Sequence, residues 1–322
     1  MANAHQHTLN TPAYRTWGLI LALAGVVGFS FRPILIKLCY AEHPISPVTL
    51  LFLRMGLSLP VFAFVAWWLS RDQLQHAATQ AGSHTSAALR GRDWLALLGL
   101  GFIGYYAASF LDFIGLQYIG AGLGRLIGFL YPTMVLALSF LFLHKRPTRR
   151  ELAALFMTYA GVALVVSGQL GATGEDRWFI FGVLLCMSNA LCYAIYLVAG
   201  SALTKRIGSM RFTAWTMIVA TAPATVQFFI LEPLSALALP AQAWTYILIM
   251  VVFATILPVF MVAEALKRIG ANHFALIGAV SPVVTVLAGA LGLDEPLTLL
   301  QIAGGTLVIS GVLLVSIKPK AT

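Results

Sequence analysis

The sequence predicts an all-α integral membrane protein whose ten transmembrane helices form two inverted five-helix repeats, with both termini in the cytoplasm. Three observations lead to this fold class: the apolar composition, ten apolar runs of membrane-spanning length, and an internal repeat. Hydrophobic residues make up 60% of the 322 residues and charged residues only 10%, whereas soluble domains are about one quarter charged. So few polar side chains could not cover a water-soluble particle of this size.

Ten apolar runs divide the chain, and each is close to the roughly 20 residues that a helix needs to cross a bilayer. In order, the runs span residues 17–39, 47–70, 93–115, 121–143, 149–168, 178–200, 211–232, 243–265, 270–292 and 298–317. Each run predicts one helix, because a lipid environment excludes backbone groups that are not hydrogen-bonded.

The runs define the predicted domain organisation. Residues 1–16 form a cytoplasmic tail, 17–168 the first repeat, 178–317 the second repeat and 318–322 a second cytoplasmic tail. The only long polar insert, at roughly 71–92, is expected to be a cytoplasmic loop within the first repeat.

Basic residues set the predicted orientation, because Lys and Arg concentrate in cytoplasmic loops. With the N-terminus inside, fifteen of them fall on the cytoplasmic side, and only Arg177 falls in an outside loop. The fifteen are Arg15, Arg71, Arg90, Arg92, Lys145, Arg146, Arg149, Arg150, Lys205, Arg206, Arg211, Lys267, Arg268, Lys318 and Lys320. This bias predicts a cell (inner) membrane protein with both ends cytoplasmic, and it accounts for the net charge of +9 without a nucleic-acid partner.

The two halves of the chain repeat each other at an offset of 150 residues. Residues 115–166 and 265–316 share 16 identities in 52 positions without a gap. The clearest matches are LQYIGA at 116–121 with LKRIGA at 266–271, LIGFLYP at 126–132 with LIGAVSP at 276–282, and GVALV at 161–165 with GVLLV at 311–315. Five predicted helices separate the copies, so the second copy enters the membrane in the opposite sense. Such inversion predicts a pseudo-twofold axis in the membrane plane and a binding site near the midplane between the repeats.

Two stretches carry a resemblance to a known family. They are GLQYIGAG at 115–122 with Tyr131–Pro132, and ALKRIGA at 265–271 with Ser281–Pro282. Here, and over 17–317 as a whole, the chain resembles the drug/metabolite transporter superfamily of the EamA type. The resemblance implies ten helices in two inverted repeats and the export, or occasionally the import, of amino acids, metabolites or drugs.

Other positions agree with the family pattern or depart from it. Asp294–Pro296 resembles the family's short acidic turn before the last helix, whereas the matching turn at His144–Pro147 is basic, as its predicted cytoplasmic side favours. Arg54 matches an arginine often seen in the second helix of this family. No Asp or Glu lies between Trp17 and Cys39, which argues against the first-helix carboxylate that related multidrug transporters use for cation exchange.

Ionisable side chains within apolar runs are costly, so each is a candidate functional residue. Arg32 and Arg54 are candidate substrate-binding residues, because the planar guanidinium fork suits a carboxylate. The alternative for Arg32 is an internal ion pair with Asp112. Lys37 and Arg125 are expected to extend toward the membrane interface.

Two carboxyl groups are candidates for proton coupling, because burial favours the protonated form. Asp112, near the end of the third helix, could carry a proton, contact substrate or neutralise an arginine. Glu264, near the end of the eighth, lies beside two basic residues, so the alternative for it is a salt bridge or a solvated position.

Helix breaks and aromatic side chains supply the remaining candidates. Pro132 and Pro282 fall in the middle of their predicted helices, where a proline frees a carbonyl and bends the helix. Their symmetric placement predicts a hinge, with a tolerated kink as the alternative. Six aromatic residues could line a substrate cavity, with ordinary packing as the alternative; they are Tyr105, Tyr106, Tyr131, Tyr193, Tyr196 and Trp215.

Three function classes are compatible with a chain of this kind. Secondary-active or facilitative transport follows from the inverted repeats and the resemblance, and the glycine string at 120–124 lacks the context of a nucleotide-binding loop. An intramembrane enzyme or lipid-handling protein is disfavoured, because Asp112 and Glu264 are expected at opposite membrane faces. A non-transporting receptor or partner subunit would need larger extramembrane segments. The expected partners are a small, carboxylate-bearing metabolite and the lipid bilayer, with no nucleotide, metal or cofactor, and the chain is expected to be a monomer or a homodimer.

Overall fold

The computed structural model describes residues 12–79, 89–143, 148–170 and 176–316. These residues are almost entirely α-helical, and none of them lies in a β-strand. Parts of the predicted tails and polar loop, and the turn at His144–Pro147, lie outside the described residues.

The helices follow one another with short connections. They are α1 (Pro12–Glu42), α2 (Pro47–Thr79), α3 (Gly91–Gly101), α4 (Ala108–Tyr118), α5 (Ala121–Gly128), α6 (Tyr131–Leu143), α7 (Arg149–Gln169), α8 (Asp176–Ile207), α9 (Ser209–Leu231), α10 (Ala241–Val251), α11 (Leu257–Gly278), α12 (Val280–Gly292) and α13 (Leu299–Ser316). The π-helical segments Phe102–Ala107 and Val252–Ile256 join α3 to α4 and α10 to α11, and a short 3-10 helix spans Leu234–Leu237. Gly270 interrupts α11, with φ of 75° and ψ of 166°.

The helix surfaces are those of a membrane protein. In the described part of the chain, eight helical stretches are long and apolar enough to cross a bilayer, and two shorter apolar helices span Leu276–Gly292 and Leu299–Val315. Large apolar side chains point outward, such as Phe156, which is 77% exposed, and Ile230, which is 74% exposed. A contiguous apolar exterior is stable only against lipid. The fold is therefore an all-α membrane fold, whereas ten crossings and cytoplasmic termini stay predictions.

Departures from regular helix recur at the same 150-residue offset as the sequence matches. The two π-helical segments begin at Phe102 and Val252. Helix breaks fall at Phe129–Leu130, between α5 and α6, and at Ala279, between α11 and α12. Because π-helical turns and broken helices are frequent at functional sites, these segments indicate where a site should be sought.

The two prolines of the repeat lie directly after the breaks. Pro132 is in the first turn of α6 and Pro282 in the first turn of α12. A proline inside a helix loses a hydrogen bond and clashes with the preceding turn, but in the first turn its missing N–H has no helical partner to lose. The chain therefore divides each helix just before the proline, instead of bending one continuous helix around it. Arg125 and Tyr131 consequently lie on either side of the first break.

The helices α7 and α13 approach each other closely through glycines. A Cβ added to Gly161 would lie 2.6 Å from the carbonyl oxygen of Gly304, and one added to Gly311 would lie 2.9 Å from the carbonyl oxygen of Ala154. Small residues permit this approach of two backbones within a membrane. The four positions form two pairs at the offset of the repeat, so the contact has the pseudo-twofold character that the sequence matches predict.

Candidate functional site

The centre of the site is an ion pair between α1 and α4. Arg32 Nη2 donates to Asp112 Oδ2 at 3.3 Å, and Asn189 Nδ2 on α8 donates to Asp112 Oδ1 at 2.9 Å. Both carboxylate oxygens of Asp112 are thus hydrogen-bonded, and the residue is buried. The Nε of Arg32 is buried and makes no hydrogen bond to a described residue. Three helices therefore meet at one carboxylate, and one arginine donor there is still available.

A second guanidinium group, that of Arg54 on α2, is buried without a carboxylate partner. Arg54 is 1% exposed, and its Nη2 donates to Ser109 Oγ at 3.3 Å. The guanidinium lies over the Phe113 ring, 5.4 Å from the ring centroid. Neither Nε nor Nη1 has a hydrogen-bond acceptor among the described residues. A buried cation normally has an anionic or fully hydrogen-bonded environment, so Arg54 is a position that an anion would stabilise.

A third guanidinium group, that of Arg125 on α5, contacts hydroxyl groups rather than a carboxylate. Its Nε and Nη2 donate to Ser281 Oγ on α12, at 2.8 Å and 2.5 Å. The same hydroxyl is 2.7 Å from Ser30 Oγ on α1, and Thr285 Oγ1 donates to the Ser30 carbonyl at 2.8 Å. The sequence predicted an interfacial Arg125, whereas the structure places it in this partly buried polar contact between α5, α12 and α1.

Arg32 acts electrostatically on both of the other arginines. Arg54 and Arg125 both lie within electrostatic range of Arg32 and of Asp112. We call Arg32, Arg54 and Arg125 the arginine cluster. It brings three cations within electrostatic range of the Asp112 carboxylate, in a region where the low dielectric constant strengthens each interaction. The cluster therefore attracts anions.

Four tyrosines form a continuous aromatic row beside the arginine cluster. Tyr131 and Tyr193 have ring centroids 5.1 Å apart, Tyr193 and Tyr196 5.8 Å, and Tyr196 and Tyr105 5.3 Å. We call these four residues the tyrosine row. Three separate parts of the chain contribute to it: the first π-helical segment, α6 and α8.

The row connects the outlying members of the arginine cluster. Arg54 lies in electrostatic range of Tyr105, at one end, and Arg125 lies in range of Tyr131 and Tyr193, at the other. Edge-to-face and stacked rings of this kind provide apolar surface together with hydroxyl groups. The arrangement is suited to a small organic molecule that carries charge.

Trp215 and Glu264 occupy other positions. Trp215 on α9 packs edge-to-face on Trp94, with centroids 4.8 Å apart, and belongs to the cluster around Tyr196. Glu264 on α11 pairs with Arg268 at 2.9 Å and Lys267 at 3.4 Å, and its side chain is 36% exposed.

Glu264 lies far from the arginine cluster. Arg268 contacts Gly18 on α1, and Gly18 precedes Arg32 by about 21 Å of helix. Glu264 and Asp112 are therefore in separate sites, and the proton-coupling role predicted for each stays a prediction.

Glu295 connects the turn before α13 to the helix that carries Arg125. Its Oε1 accepts from the Ala121 N–H at 2.6 Å, and its Oε2 accepts from the Gly122 N–H at 3.1 Å. A carboxylate at a helix N-terminus satisfies free N–H groups and the helix dipole. Nearby, Lys37 Nζ donates to the Ile119 carbonyl at 3.1 Å. These two contacts hold the start of α5 against the second half of the chain and α1.

Sequence reasoning missed Glu295, Asn189 and Ser281 as site residues. Only Glu295 had a signal, since it lies in the acidic turn that resembles the family pattern. Asn189 and Ser281 are uncharged residues within apolar helices, and single hydroxyl or amide groups there are too common to select without their partners.

Comparison with known proteins places the chain among transporters. The model of the EamA-like transporter family matches residues 16–167 and 180–317. The relative YcbK of Bacillus subtilis, named an uncharacterized transporter, is 28% identical over 293 residues, which cover 89% of this chain and 88% of its own. An uncharacterized transporter of Archaeoglobus fulgidus is 25% identical, covering 86% of this chain and 91% of its own.

A solved structure supports the fold alone. Its chain overlays with a TM-score of 0.59 at 13% identity, covering 94% of this chain and 97% of its own. The family match is stronger, because it extends over both halves of the sequence and includes every member of the arginine cluster and the tyrosine row. This protein therefore belongs to the EamA-like transporter family.

Proposed function

We propose that this protein is a secondary-active or facilitative transporter that exports small carboxylate-bearing metabolites, such as amino acids. The observation that carries the proposal is the arginine cluster, in which Arg32 pairs with Asp112 while Arg54 and Arg125 contact serine hydroxyls and have no carboxylate partner among the described residues. Membrane-buried charges without partners are costly and mark substrate pathways. An anionic substrate would supply the missing partner.

Arg32 is the residue that we expect to contact the substrate carboxylate first. Its Nη2 is held by Asp112, while its Nε has no acceptor among the described residues. Asp112 orients the Arg32 guanidinium group. It also limits the attraction of that group for a substrate anion, because Asp112 and the anion compete for the same N–H donors. A substrate held too tightly could not leave, so this internal counterion favours turnover.

Alternating access between two inverted five-helix repeats is the mechanism that we propose. Its support is the common 150-residue spacing of the sequence matches, the π-helical segments and the broken helices. In inverted-repeat transporters, broken helices meet at the substrate site. Here α5 and α12 flank the two breaks and are joined by the contact between Arg125 and Ser281. Movement at the breaks before Pro132 and Pro282 would change that contact.

The proposed membrane arrangement has ten crossings, with both termini in the cytoplasm of a bacterial-type cell membrane. The fifteen basic residues that fall on the predicted cytoplasmic side support this orientation. The names of the relatives as transporters support membrane transport rather than an intramembrane enzyme. The separation of Asp112 from Glu264 also argues against a two-carboxylate catalytic site.

Flux in proteoliposomes tests the proposal. Purified full-length protein is reconstituted, and efflux of a radiolabelled amino-acid panel is compared between the wild type and Arg32→Ala. Arg206→Ala is the matched control, because Arg206 also pairs with an aspartate, Asp93, outside the arginine cluster. We expect substrate-specific flux that Arg32→Ala abolishes and Arg206→Ala retains. Equal flux in both variants, or no carboxylate flux from folded protein, would contradict the proposal.

A further inference from the structure

The charge of the site does not balance. The arginine cluster contributes three positive charges, and Asp112 is the carboxylate that faces it among the described residues. Arg32 has this carboxylate as its partner, whereas Arg54 contacts a hydroxyl and a phenyl ring, and Arg125 contacts a hydroxyl. Two of the three guanidinium groups are therefore buried or partly buried without a counterion in the part of the chain that the structure describes. Burying a charge in this way is unfavourable unless a ligand completes the pair.

The two uncompensated guanidinium groups lie at different ends of the site. Arg54 is near Tyr105, and Arg125 is near Tyr131 and Tyr193. The tyrosine row runs between these ends through ring contacts of 5.1 to 5.8 Å. A molecule with an anionic group at each end would supply a counterion to both guanidinium groups.

We propose that the substrate carries two anionic groups, one paired with Arg125 and with the free donor of Arg32, and the other paired with Arg54. The inference rests on the proposed function and narrows its substrate class from carboxylates to dianionic metabolites, such as dicarboxylates or phosphate monoesters with a carboxylate. The carbon skeleton lies along the tyrosine row. If the substrate is an acidic amino acid, its ammonium group would face Asp112, the carboxylate of the site among the described residues.

A neutral amino acid fits this arrangement less well. Its single carboxylate neutralises one guanidinium group, and its ammonium group adds a positive charge to a region that already has an excess. Asp112, the compensating carboxylate among the described residues, is already engaged by Arg32 and Asn189. One buried cation is then left without a partner, and such a loss of a charge-assisted contact corresponds to about a tenfold loss in affinity or more.

Matched pairs of ligands test the inference. The probes are glutamate against glutamine, aspartate against asparagine, and phosphoserine against serine, because each pair differs chiefly in one anionic group. Binding to the purified full-length protein is measured in chloride-free buffer by the ligand-dependent rise in its unfolding temperature. We expect the member of each pair that carries two anionic groups to bind at least about tenfold more tightly than the member that carries one. The phosphoserine pair shows whether the second group is a phosphate rather than a carboxylate.

Arg54→Gln tests whether Arg54 binds the second anionic group. We expect the affinity ratio within each pair to fall close to one in this variant. Because a buried substitution can prevent folding, Arg125→Gln provides a second test at the other, less buried end, and its ratio should fall in the same way. Equal affinity of both members of every pair for the wild type would overturn the inference while leaving the proposed carboxylate transport intact. A preference for the ligand with two anionic groups that survives both substitutions would also overturn the inference. Failure of every carboxylate to bind would contradict the proposed function itself.

Discussion

Glu295 accepts a hydrogen bond from the backbone N–H of Ala121 at 2.6 Å, although the two residues lie 174 positions apart in the sequence. The contact joins the acidic turn before α13 to the first turn of α5, the helix that carries Arg125. The position of one arginine of the site thus depends on a carboxylate in the other half of the chain. Release of this contact would free α5 to move.

Glu295→Gln should weaken the start of α5 and alter transport. Glutamine keeps one acceptor oxygen but removes the negative charge, so two N–H groups lose their charged partner. We expect a loss of about 1 kcal/mol in unfolding free energy and a change in the flux rate. Thermal unfolding and proteoliposome flux measure the two effects.

Glu151→Gln is the matched control for this substitution. Glu151 also caps a helix, since its side chain accepts from the Thr148 N–H at 2.7 Å at the start of α7. That contact is local and exposed, so only stability should change. Equal effects of the two substitutions on flux would show that the contact of Glu295 has no special role.

Asp112→Asn should remove any proton coupling that depends on this carboxylate. Flux is measured with and without an imposed pH gradient. If Asp112 carries the coupled proton, the gradient accelerates the wild type severalfold and leaves the variant unaffected. Glu264→Gln should retain the response, because Glu264 lies at a separate, half-exposed ion pair. A gradient response that persists in Asp112→Asn would exclude this role.

Asp112→Asn should also lower the free energy of unfolding. Breaking a buried ion pair leaves Arg32 without its counterion, and we expect a loss of about 3 kcal/mol. The double variant Arg32→Gln with Asp112→Asn should lose less than the sum of the single variants, since the two residues are in contact. Additive losses in thermal unfolding would mean that the 3.3 Å contact contributes no coupling energy.

Gly161→Ala should destabilise the packing of α7 on α13. The added methyl group would lie 2.6 Å from the carbonyl oxygen of Gly304, so the backbones must separate, at a cost of about 1–3 kcal/mol. Gly56→Ala in α2 is the control, because no neighbouring atom lies within 4 Å of its added Cβ. That control should be neutral or stabilising, since alanine favours helix over glycine. Equal unfolding temperatures for the two variants would contradict the close approach.

Pro132→Ala tests whether the break before α6 is a hinge. With an N–H restored at this position, α5 and α6 can join more easily into one helix. We expect the unfolding temperature to be unchanged or higher. Flux should fall severalfold, because the segment between Arg125 and Tyr131 becomes more rigid. Unfolding temperature and flux are compared with those of Pro60→Ala, a proline inside α2 and away from either break. Wild-type flux in Pro132→Ala would argue against the hinge.

The sequence predicted an all-helical membrane fold, but it did not predict where individual helices end. The sixth apolar run was set at 178–200, whereas α8 extends over Asp176–Ile207. Hydropathy falls at Lys205 and Arg206, yet the helix continues until Gly208, whose φ of 86° ends it. Backbone conformation at such a glycine determines the end, and an apolar run does not reveal it.

The sequence singled out three charged residues of the candidate site, but it did not identify the environment of Arg125 or the neutral partners. Arg32, Arg54 and Asp112 were identified because a charge within an apolar run is costly and therefore rare. Asn189 contacts Asp112 across 77 positions, and Ser281 contacts Arg125 across 156. Such contacts depend on how the helices pack, and no local pattern records them.

Equilibrium binding of a radiolabelled carboxylate to the wild type and to Arg32→Ala tests the central claim most directly, with Arg206→Ala as the charge-matched control. A guanidinium group that holds the substrate carboxylate should contribute a charge-assisted contact, so affinity should fall by about tenfold or more in Arg32→Ala. Affinity should be retained in Arg206→Ala, because that arginine pairs with Asp93 away from the site. Wild-type affinity in Arg32→Ala, in a protein that unfolds at the normal temperature, would contradict the assignment of the arginine cluster as the substrate site.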